Sequence, residues 1–265
     1  MKIREIIGAL EQFAPLSLQD SYDNAGLQIG LTGDADASGA LLCLDITEDV
    51  IDEAVARRCN LIVAHHPLLF RPPKHIVGED YVQRCIIKAI KSDVAVYAAH
   101  TNLDNAPGGV SWRMARKLGL QQVQTLKPCA HSETPEANTG AGVIGVLPQS
   151  LALDGFIAKV KETFHADSVR FNNWRGKQVQ RVALCGGAGA FLMEDAVRCG
   201  ADAFITGEIG YHRFFGYEND ILLMEIGHFE SERFTLELLR DIIAAQAPDL
   251  PVIETNIRTN PIHYR

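Results

Sequence analysis

Short apolar runs alternate with amphipathic segments along this chain, and this alternation most constrains what it can fold into. The run ALLCLDI (40–46) is followed by a stretch with apolar residues at helical spacing, and then by NLIVAHH (60–66). Thr47 is the predicted N-cap of the intervening helix, with Glu48 and Asp49 in its first turn. Two strands joined through a helix are normally parallel and have a right-handed crossover. The pattern therefore predicts an α/β fold.

Two parts of the chain resemble each other in this pattern. The segment EAVARRCNLIVAHH (53–66) aligns with DAVRCGADAFITGE (195–208), and DVAVYAAHTNLD (93–104) aligns with NDILLMEIGHFESE (219–232). Each segment supplies a predicted strand, preceded in the first pair by the end of a helix. We therefore predict an internal pseudo-duplication: two interlinked α/β units with mainly parallel central sheets flanked by helices.

The region 121–139 is polar and rich in turn residues, which makes it the best candidate for a linker. Beyond it, a strand pattern, a helix pattern and a short apolar segment form a small section, and the strand–helix alternation resumes near residue 180. We predict an α/β core from residues 1–125 and 180–265, which carries the candidate site, and an intervening small α/β section from 126–179.

Charge and hydropathy exclude some functions and locations. The formal net charge is −8 and no block of Lys or Arg is present, which argues against nonspecific nucleic-acid binding and against a membrane surface. No apolar run approaches the roughly 20 residues that span a bilayer, and the N-terminus lacks a signal-peptide pattern. Cys43, Cys59, Cys85 and Cys185 lie in apolar surroundings typical of core thiols in a reducing compartment. We expect a cytoplasmic protein.

Histidines and carboxylates recur where the predicted strands end. Ligands of α/β proteins gather at the carboxyl ends of parallel strands, where loops and helix N-termini converge. The residues at these ends are His65, His66, His100, Asp104, Glu208, His228 and Glu232. A single histidine at a strand end is usually structural, but this many polar groups need partners, and divalent cations satisfy them. Imidazole with carboxylate suits Zn, Mn, Fe, Ni or Co, and a bridging carboxylate suits two ions.

Six motifs occur in order along the chain: SYDNAGLQIG, AHHPLLF, AAHTNLD, CGGAG, FITGEIGYH and GHFESE. Together they resemble the dinuclear-metal proteins known as GTP cyclohydrolase I type 2 homologues, or the NGG-interacting-factor-three-like family. The resemblance extends from about residue 20 to 235, and the double-histidine and G-H-x-x-x-E elements are its most specific parts. Some members carry a long insertion in the middle, and this chain resembles the short form without it.

The resemblance implies two divalent metal ions per chain, with Glu232 bridging them. It places His66 and Asp104 at one ion, and His65 and His228 at the other. The family forms toroidal hexamers, so the resemblance also implies a homohexamer.

Other motif residues are candidates for chemistry or substrate binding, each with a structural alternative. His100, Glu208 and His212 are candidate proton carriers, and His100 or Glu208 can equally be a structural residue at a strand end. Tyr211 is a candidate for the substrate pocket. Tyr22 and Asn24 line its mouth or form an Asx-type turn, and Gly187 and Gly189 cradle a phosphate or form a plain tight turn.

Two functions of different classes follow. The first is a metal-dependent hydrolase that acts on a small nucleotide-like substrate, with ring opening of GTP suggested by the family name. The second is a non-catalytic metal-binding scaffold or regulator that forms a ring-shaped oligomer. A catalytic site keeps an open coordination position and proton carriers nearby. The candidates His100, Glu208 and His212 therefore favour the hydrolase.

Overall fold

The computed structural model describes residues 1–30, 34–129 and 138–264. Its helices and strands follow one another in chain order as α1 (Ile3–Phe13), β1 (Gly26–Ile29), β2 (Ala40–Cys43), α2 (Glu48–Ala56), β3 (Leu61–Ala64), α3 (Tyr81–Lys91), β4 (Ala95–Ala98), α4 (Thr101–Asn105), α5 (Val110–Leu118), β5 (Gln121–Pro128), β6 (Gly140–Ala152), α6 (Leu153–Phe164), β7 (Arg170–Phe171), β8 (Gln178–Cys185), α7 (Met193–Arg198), β9 (Ala203–Thr206), β10 (Leu222–Glu225), α8 (His228–Glu232), α9 (Thr235–Gln246) and β11 (Val252–Glu254).

The chain divides into two units, each built from two segments. Unit 1 comprises Met1–Leu103 and Thr235–Pro261, and unit 2 comprises Asp104–Phe234 and Ile262–Arg265. The chain therefore leaves unit 1, builds unit 2 and returns, so the two units are interlinked along the sequence. The sequence-based division into an α/β core (1–125 and 180–265) and a small section (126–179) stays a prediction.

Unit 1 contains a five-stranded sheet in the order β1-β4-β3-β2-β11. Every neighbouring pair is parallel except β1 with β4, so the sheet is mainly parallel with one antiparallel edge. All residues of β2, β3 and β4 are buried, as expected for strands covered on both faces. Thr47 caps α2 as predicted, because its side chain accepts a hydrogen bond from the Val50 N–H at 3.3 Å.

Unit 2 contains a six-stranded mixed sheet in the order β5-β6-β8-β9-β10-β7. The strands β8, β9 and β10 are parallel, whereas β5, β6 and β7 join them by antiparallel pairing. The helices α5 and α6 pack on the core that contains Phe156, Val160 and Phe164. The prediction of mainly parallel strands therefore holds for the centre of this sheet, whereas its antiparallel edge strands were not predicted.

The predicted duplication appears in the strand order of each unit. In unit 1, β2, β3 and β4 are consecutive parallel neighbours, and in unit 2, β8, β9 and β10 repeat that order. In each unit a helix (α2 or α7) connects the first of these strands to the second. The carboxyl ends of three parallel strands therefore meet at one edge of each sheet.

One expectation about local structure was wrong. The proposed linker 121–139 contains the strand β5, which pairs with β6 at the edge of the sheet. Most residues of β5 are exposed, so the polarity of this segment reflects an edge strand. Residues 130–137 of the proposed linker lie outside the described ranges. After β4, the residues Thr101–Asn105 form α4, and the Thr101 N–H at its start donates to the Asp23 carboxylate at 3.0 Å, a favourable place for an anion.

The four cysteines expected in the core, Cys43, Cys59, Cys85 and Cys185, are buried. Burial raises the pKa of the Cys85 thiol to about 11, so this thiol stays protonated at neutral pH. Among the described residues, no helix combines the length and apolar character that a membrane span requires.

Candidate metal centre

Three histidines converge at the strand ends of unit 1. The strands β3 and β4 are parallel neighbours with Ala64 opposite Ala98, so the residues that follow them reach the same edge of the sheet. The ligand nitrogens of His65, His66 and His100 all lie within 4.8 Å of one another. The ring centroids of His65 and His66 are 4.9 Å apart, and those of His65 and His100 are 5.3 Å apart. Imidazoles this close form a donor set that can hold a metal ion.

Each of these imidazoles is oriented through its Nδ1 atom. The Nδ1 of His65, which is fully buried, lies 2.7 Å from the Ala99 carbonyl oxygen. A carbonyl only accepts, so Nδ1 carries the proton and Nε2 keeps its lone pair. The Nδ1 of His66 lies 2.8 Å from Asp45 Oδ1. A histidine that ligates a metal typically donates its other ring N–H in this way to a carbonyl or a carboxylate.

His100 has the same arrangement with a buried carboxylate. Its Nδ1 lies 2.7 Å from Asp23 Oδ1, and the Asp23 side chain is fully buried. Burial disfavours the charged carboxylate, but hydrogen bonds from His100 and Thr101 outweigh burial and lower the pKa of Asp23 to about 2. Asp23 is therefore an anion at neutral pH and fixes the imidazole with Nε2 directed away from it.

Unit 2 contributes a histidine and a carboxylate from one short helix. His228 and Glu232 lie at i and i+4 on α8, so they share a face, and His228 Nε2 is 3.2 Å from Glu232 Oε2. The Nδ1 of His228 lies 2.8 Å from Glu208 Oε1, so this imidazole is oriented like the three in unit 1. Glu232 is buried, with 3% of its surface exposed. A buried carboxylate beside an oriented imidazole is a donor pair for a cation.

The glycine-rich turn CGGAG lies against this carboxylate. Gly187 has φ +60°, and a Cβ added there would lie 2.3 Å from Glu232 Oε1. Its N–H donates to Ser231 Oγ at 2.9 Å, and the Gly189 N–H donates to Thr206 Oγ1 at 2.9 Å. These N–H groups are engaged inside the protein, which favours the tight-turn alternative over the phosphate cradle. Gly187 instead makes room for the Glu232 side chain.

The remaining candidates occupy different surroundings. Asp104 lies on α4 and is partly buried, while His212 and Tyr211 are exposed on the 3₁₀ turn Tyr211–Phe214. Tyr22 is exposed and its ring lies 6.3 Å from that of Phe70, which in turn lies 6.0 Å from His100. The Asn24 side chain donates to the Leu69 carbonyl at 2.8 Å, and the Asn24 backbone N–H donates to Oδ1 of the preceding Asp23 at 2.7 Å. Their roles in binding stay predictions.

Two carboxylates escaped the sequence reasoning as partners of the histidines. Asp45 follows β2, the third parallel strand of unit 1, and would have been found if that strand had been predicted to end at Cys43 rather than Ile46. Asp23 comes from a loop 77 residues before His100, and nothing in local spacing predicts that contact. Glu208 was predicted, but as a proton carrier, and the structure gives it a contact that orients His228.

Comparisons with known proteins identify relatives of this chain. The family model described as Duf34/NIF3 (NGG1p interacting factor 3) matches residues 1–261. A Clostridium acetobutylicum protein named GTP cyclohydrolase 1 type 2 homolog is 34% identical over 233 residues, covering 88% of this chain and 85% of its own length. A Streptococcus pneumoniae protein of the same name is 32% identical and is covered completely, as is this chain. The crystal structure of a Staphylococcus aureus hypothetical protein superposes with a TM-score of 0.92 at 28% identity, covering 100% of this chain and 99% of that one.

Proposed function

The chain belongs to the Duf34/NIF3 family, and on that premise we propose that it is a dinuclear metal-dependent hydrolase for a small nucleotide-like substrate. The proposed ligands of two divalent ions (Zn, Mn, Fe, Ni or Co) are His65, His66, Asp104, His228 and Glu232. The observation that carries the proposal is the common orientation of the imidazoles of unit 1 and of His228 on α8. Each places Nδ1 within 2.8 Å of an oxygen acceptor, which leaves Nε2 of His65, His66 and His228 as a ligand atom and Nε2 of His100 for proton transfer.

The chemistry of the donor set fits this assignment. Neutral imidazole and carboxylate are the ligands that borderline divalent metals prefer, and the cysteines expected in the core are not needed for such a site. When bound, divalent ions supply Lewis acidity and lower the pKa of water toward neutrality.

The chain itself supplies the groups that move or hold protons. Asp23 holds His100 by its Nδ1, so Nε2 of His100 is the atom that accepts or donates a proton during hydrolysis. Glu208 orients His228 and is itself 61% exposed, so it also reaches solvent. These oriented groups favour a hydrolase over a purely structural metal site, in which no proton carrier is needed.

The metal content tests the ligand assignment. We expect about two transition-metal ions per chain by elemental analysis of the purified protein, in line with a dinuclear site. The value should fall sharply in Glu232→Ala and stay unchanged in Glu162→Ala, an exposed glutamate on α6. A protein that binds no metal after reconstitution, or a Glu232→Ala variant with full metal content, would contradict the assignment.

The names of the Clostridium and Streptococcus relatives make GTP the first substrate to test. The metal-loaded protein should be assayed against GTP, other nucleotides and phosphoesters. Turnover should disappear in His65→Ala and in Glu232→Ala, and turnover that persists in both would come from another site or a contaminant. A fully metal-loaded protein that turns over none of these compounds would favour the scaffold alternative. The predicted homohexamer is measured separately by light scattering of the same preparation.

A further inference from the structure

A concave site in unit 2 lies between the edge strand β7 and the turn Tyr211–Phe214. Its volume is about 480 Å³, within the range of small-molecule pockets. Four aromatic rings line it: Phe171 from β7, and Tyr211, Phe214 and Phe215 from the turn and the residue after it. These rings give the cavity several flat π surfaces.

The exposure of these rings leaves their faces available to a ligand. Tyr211 is 66% exposed, Phe215 is 60% exposed and Phe171 is 45% exposed. Large aromatic side chains left in solvent around one cavity are unusual unless something covers them. The rings of Tyr211 and Phe215 meet nearly edge to face, with centroids 5.6 Å apart, and so form a corner. A planar heterocycle can stack on one of these faces while its edge meets the other.

Two charged groups of the cavity are held in place. Arg170 donates from Nη1 to both carboxylate oxygens of Glu225, at 2.9 and 3.0 Å, and its guanidinium lies 5.3 Å from the centre of the Phe214 ring. Glu218 also lines the cavity, and its Oε1 accepts a long hydrogen bond of 3.3 Å from the Gly216 N–H. A partly buried carboxylate at the rim of an aromatic cavity favours a ring edge that carries N–H donors.

The same loop reaches the metal-centre residues of unit 2. Glu208 contacts His228 at 2.8 Å, and the next residue, Ile209, donates its N–H to Glu225 at 2.8 Å. Tyr211 follows Glu208 by three residues, so their Cα atoms are at most about 10 Å apart. This span is comparable to the size of a nucleotide. A ring bound in the cavity would therefore place the rest of the molecule close to Glu208.

We propose that this cavity binds the planar heterocycle of a nucleoside-type ligand, stacked on Tyr211 and Phe215 with an N–H-bearing edge toward Glu218. Guanine is the common base whose edge offers adjacent N–H donors, so it is the preferred ring. The proposal deepens the proposed function by locating the base of the substrate, and it rests on that function only for the identity of this ligand as the substrate.

Binding is tested with guanosine and the full-length protein after removal of metal by a chelator, so that no hydrolysis occurs. Calorimetry should show guanosine binding more tightly than adenosine. We expect about 5- to 100-fold weaker guanosine binding in Phe215→Ala and in Tyr211→Ala. Phe191→Ala, which removes a similarly exposed ring outside the cavity, is the control and should bind like wild type. Glu218→Gln should reduce the preference for guanosine over adenosine.

Several results would overturn this proposal. Equal affinity for the two nucleosides would refute the guanine preference and the role of Glu218, and guanosine binding in Phe215→Ala equal to that of Phe191→Ala would remove the site. A changed mass by light scattering in Phe215→Ala with unchanged guanosine affinity would identify the rings as a subunit contact. Guanosine binding with the expected losses, but no GTP turnover after metal loading, would refute the hydrolase and leave the base site standing. GTP turnover with an unchanged KM in Phe215→Ala would support the hydrolase and refute the base site.

Discussion

Replacing Gly187 by alanine should remove metal binding while leaving unit 2 folded. The added Cβ would lie 2.3 Å from Glu232 Oε1, whereas ordinary contact begins near 3.4 Å, so the carboxylate has to retreat by about 1 Å. Ligands of a metal site keep their distances within about 0.2 Å. A displacement of this size therefore disrupts coordination by Glu232. The carboxylate is the far end of a side chain, so its movement costs the fold little.

The alanine also introduces backbone strain, which a matched variant isolates. Gly187 has φ +60° and Gly119, the left-handed residue that ends α5, has φ +80°. A Cβ at Gly119 would meet no described atom within 4 Å. Both variants should lower the free energy of unfolding by about 1–2 kcal/mol, the usual penalty for a left-handed alanine. Only Gly187→Ala should also lose metal.

The assay combines urea unfolding of the metal-free variants with elemental analysis after reconstitution. The metal content of Gly119→Ala should equal that of wild type, and that of Gly187→Ala should fall as in Glu232→Ala. If Gly187→Ala keeps its metal at wild-type affinity, then either Glu232 is not a ligand or the turn yields instead of the carboxylate. Either result would refute the reasoning from the contact at Gly187.

Three further predictions test the groups around the site and the cavity. Asp45→Asn should weaken metal binding about 10- to 100-fold in a chelator competition, because it removes the anion that orients His66, whereas Asp52→Asn on the exposed face of α2 should not. The pKa of Asp23 is lowered from 3.8 to about 2, so its contribution of about 2 kcal/mol to stability is present above about pH 5 and is lost as the pH falls toward 2. The thermal stability of Asp23→Asn should therefore depend less on pH between 5 and 2 than that of wild type. An unchanged pH dependence would contradict the assignment. Asn172→Ala should lower the free energy of unfolding, measured in urea, by about 2–5 kcal/mol. The buried Asn172 amide donates to the Ile221 carbonyl at 3.0 Å and accepts from the Leu223 N–H at 2.9 Å, and both hydrogen bonds would be lost. A loss below about 1 kcal/mol would show that the edge strand reorganises.

The strand ends were predictable from sequence because two independent patterns agree there. Fully apolar four-residue runs such as β3 are typical of buried parallel strands, and adjacent polar residues at their ends have few structural explanations. The convergence of His65, His66 and His100 follows from the parallel pairing of β3 with β4, which the β-α-β pattern already implies.

The contacts that orient these histidines were not predictable in the same way. Asp23 reaches His100 across 77 residues, and it also accepts a hydrogen bond from the Thr101 N–H at the start of α4. Periodicity describes only neighbours along the chain, so it cannot report a carboxylate that arrives from another element. Edge strands are a related case, because β5 is polar like a linker and differs only by its pairing with β6.

The return of the chain to unit 1 has a consequence for biosynthesis. Thr259 donates to Asp45 Oδ2 at 2.7 Å, and the other oxygen of that carboxylate holds His66. Unit 2 begins at Asp104, and residue 259 is synthesised 155 residues later. Translating these 155 residues takes on the order of 10–30 s at the usual rate. The edge strand β11 emerges equally late, so β2 lacks a neighbour on that side while unit 2 is already being made. The Asp45 carboxylate that holds His66 therefore gains its contact with Thr259 only after residues 104–234 have been synthesised.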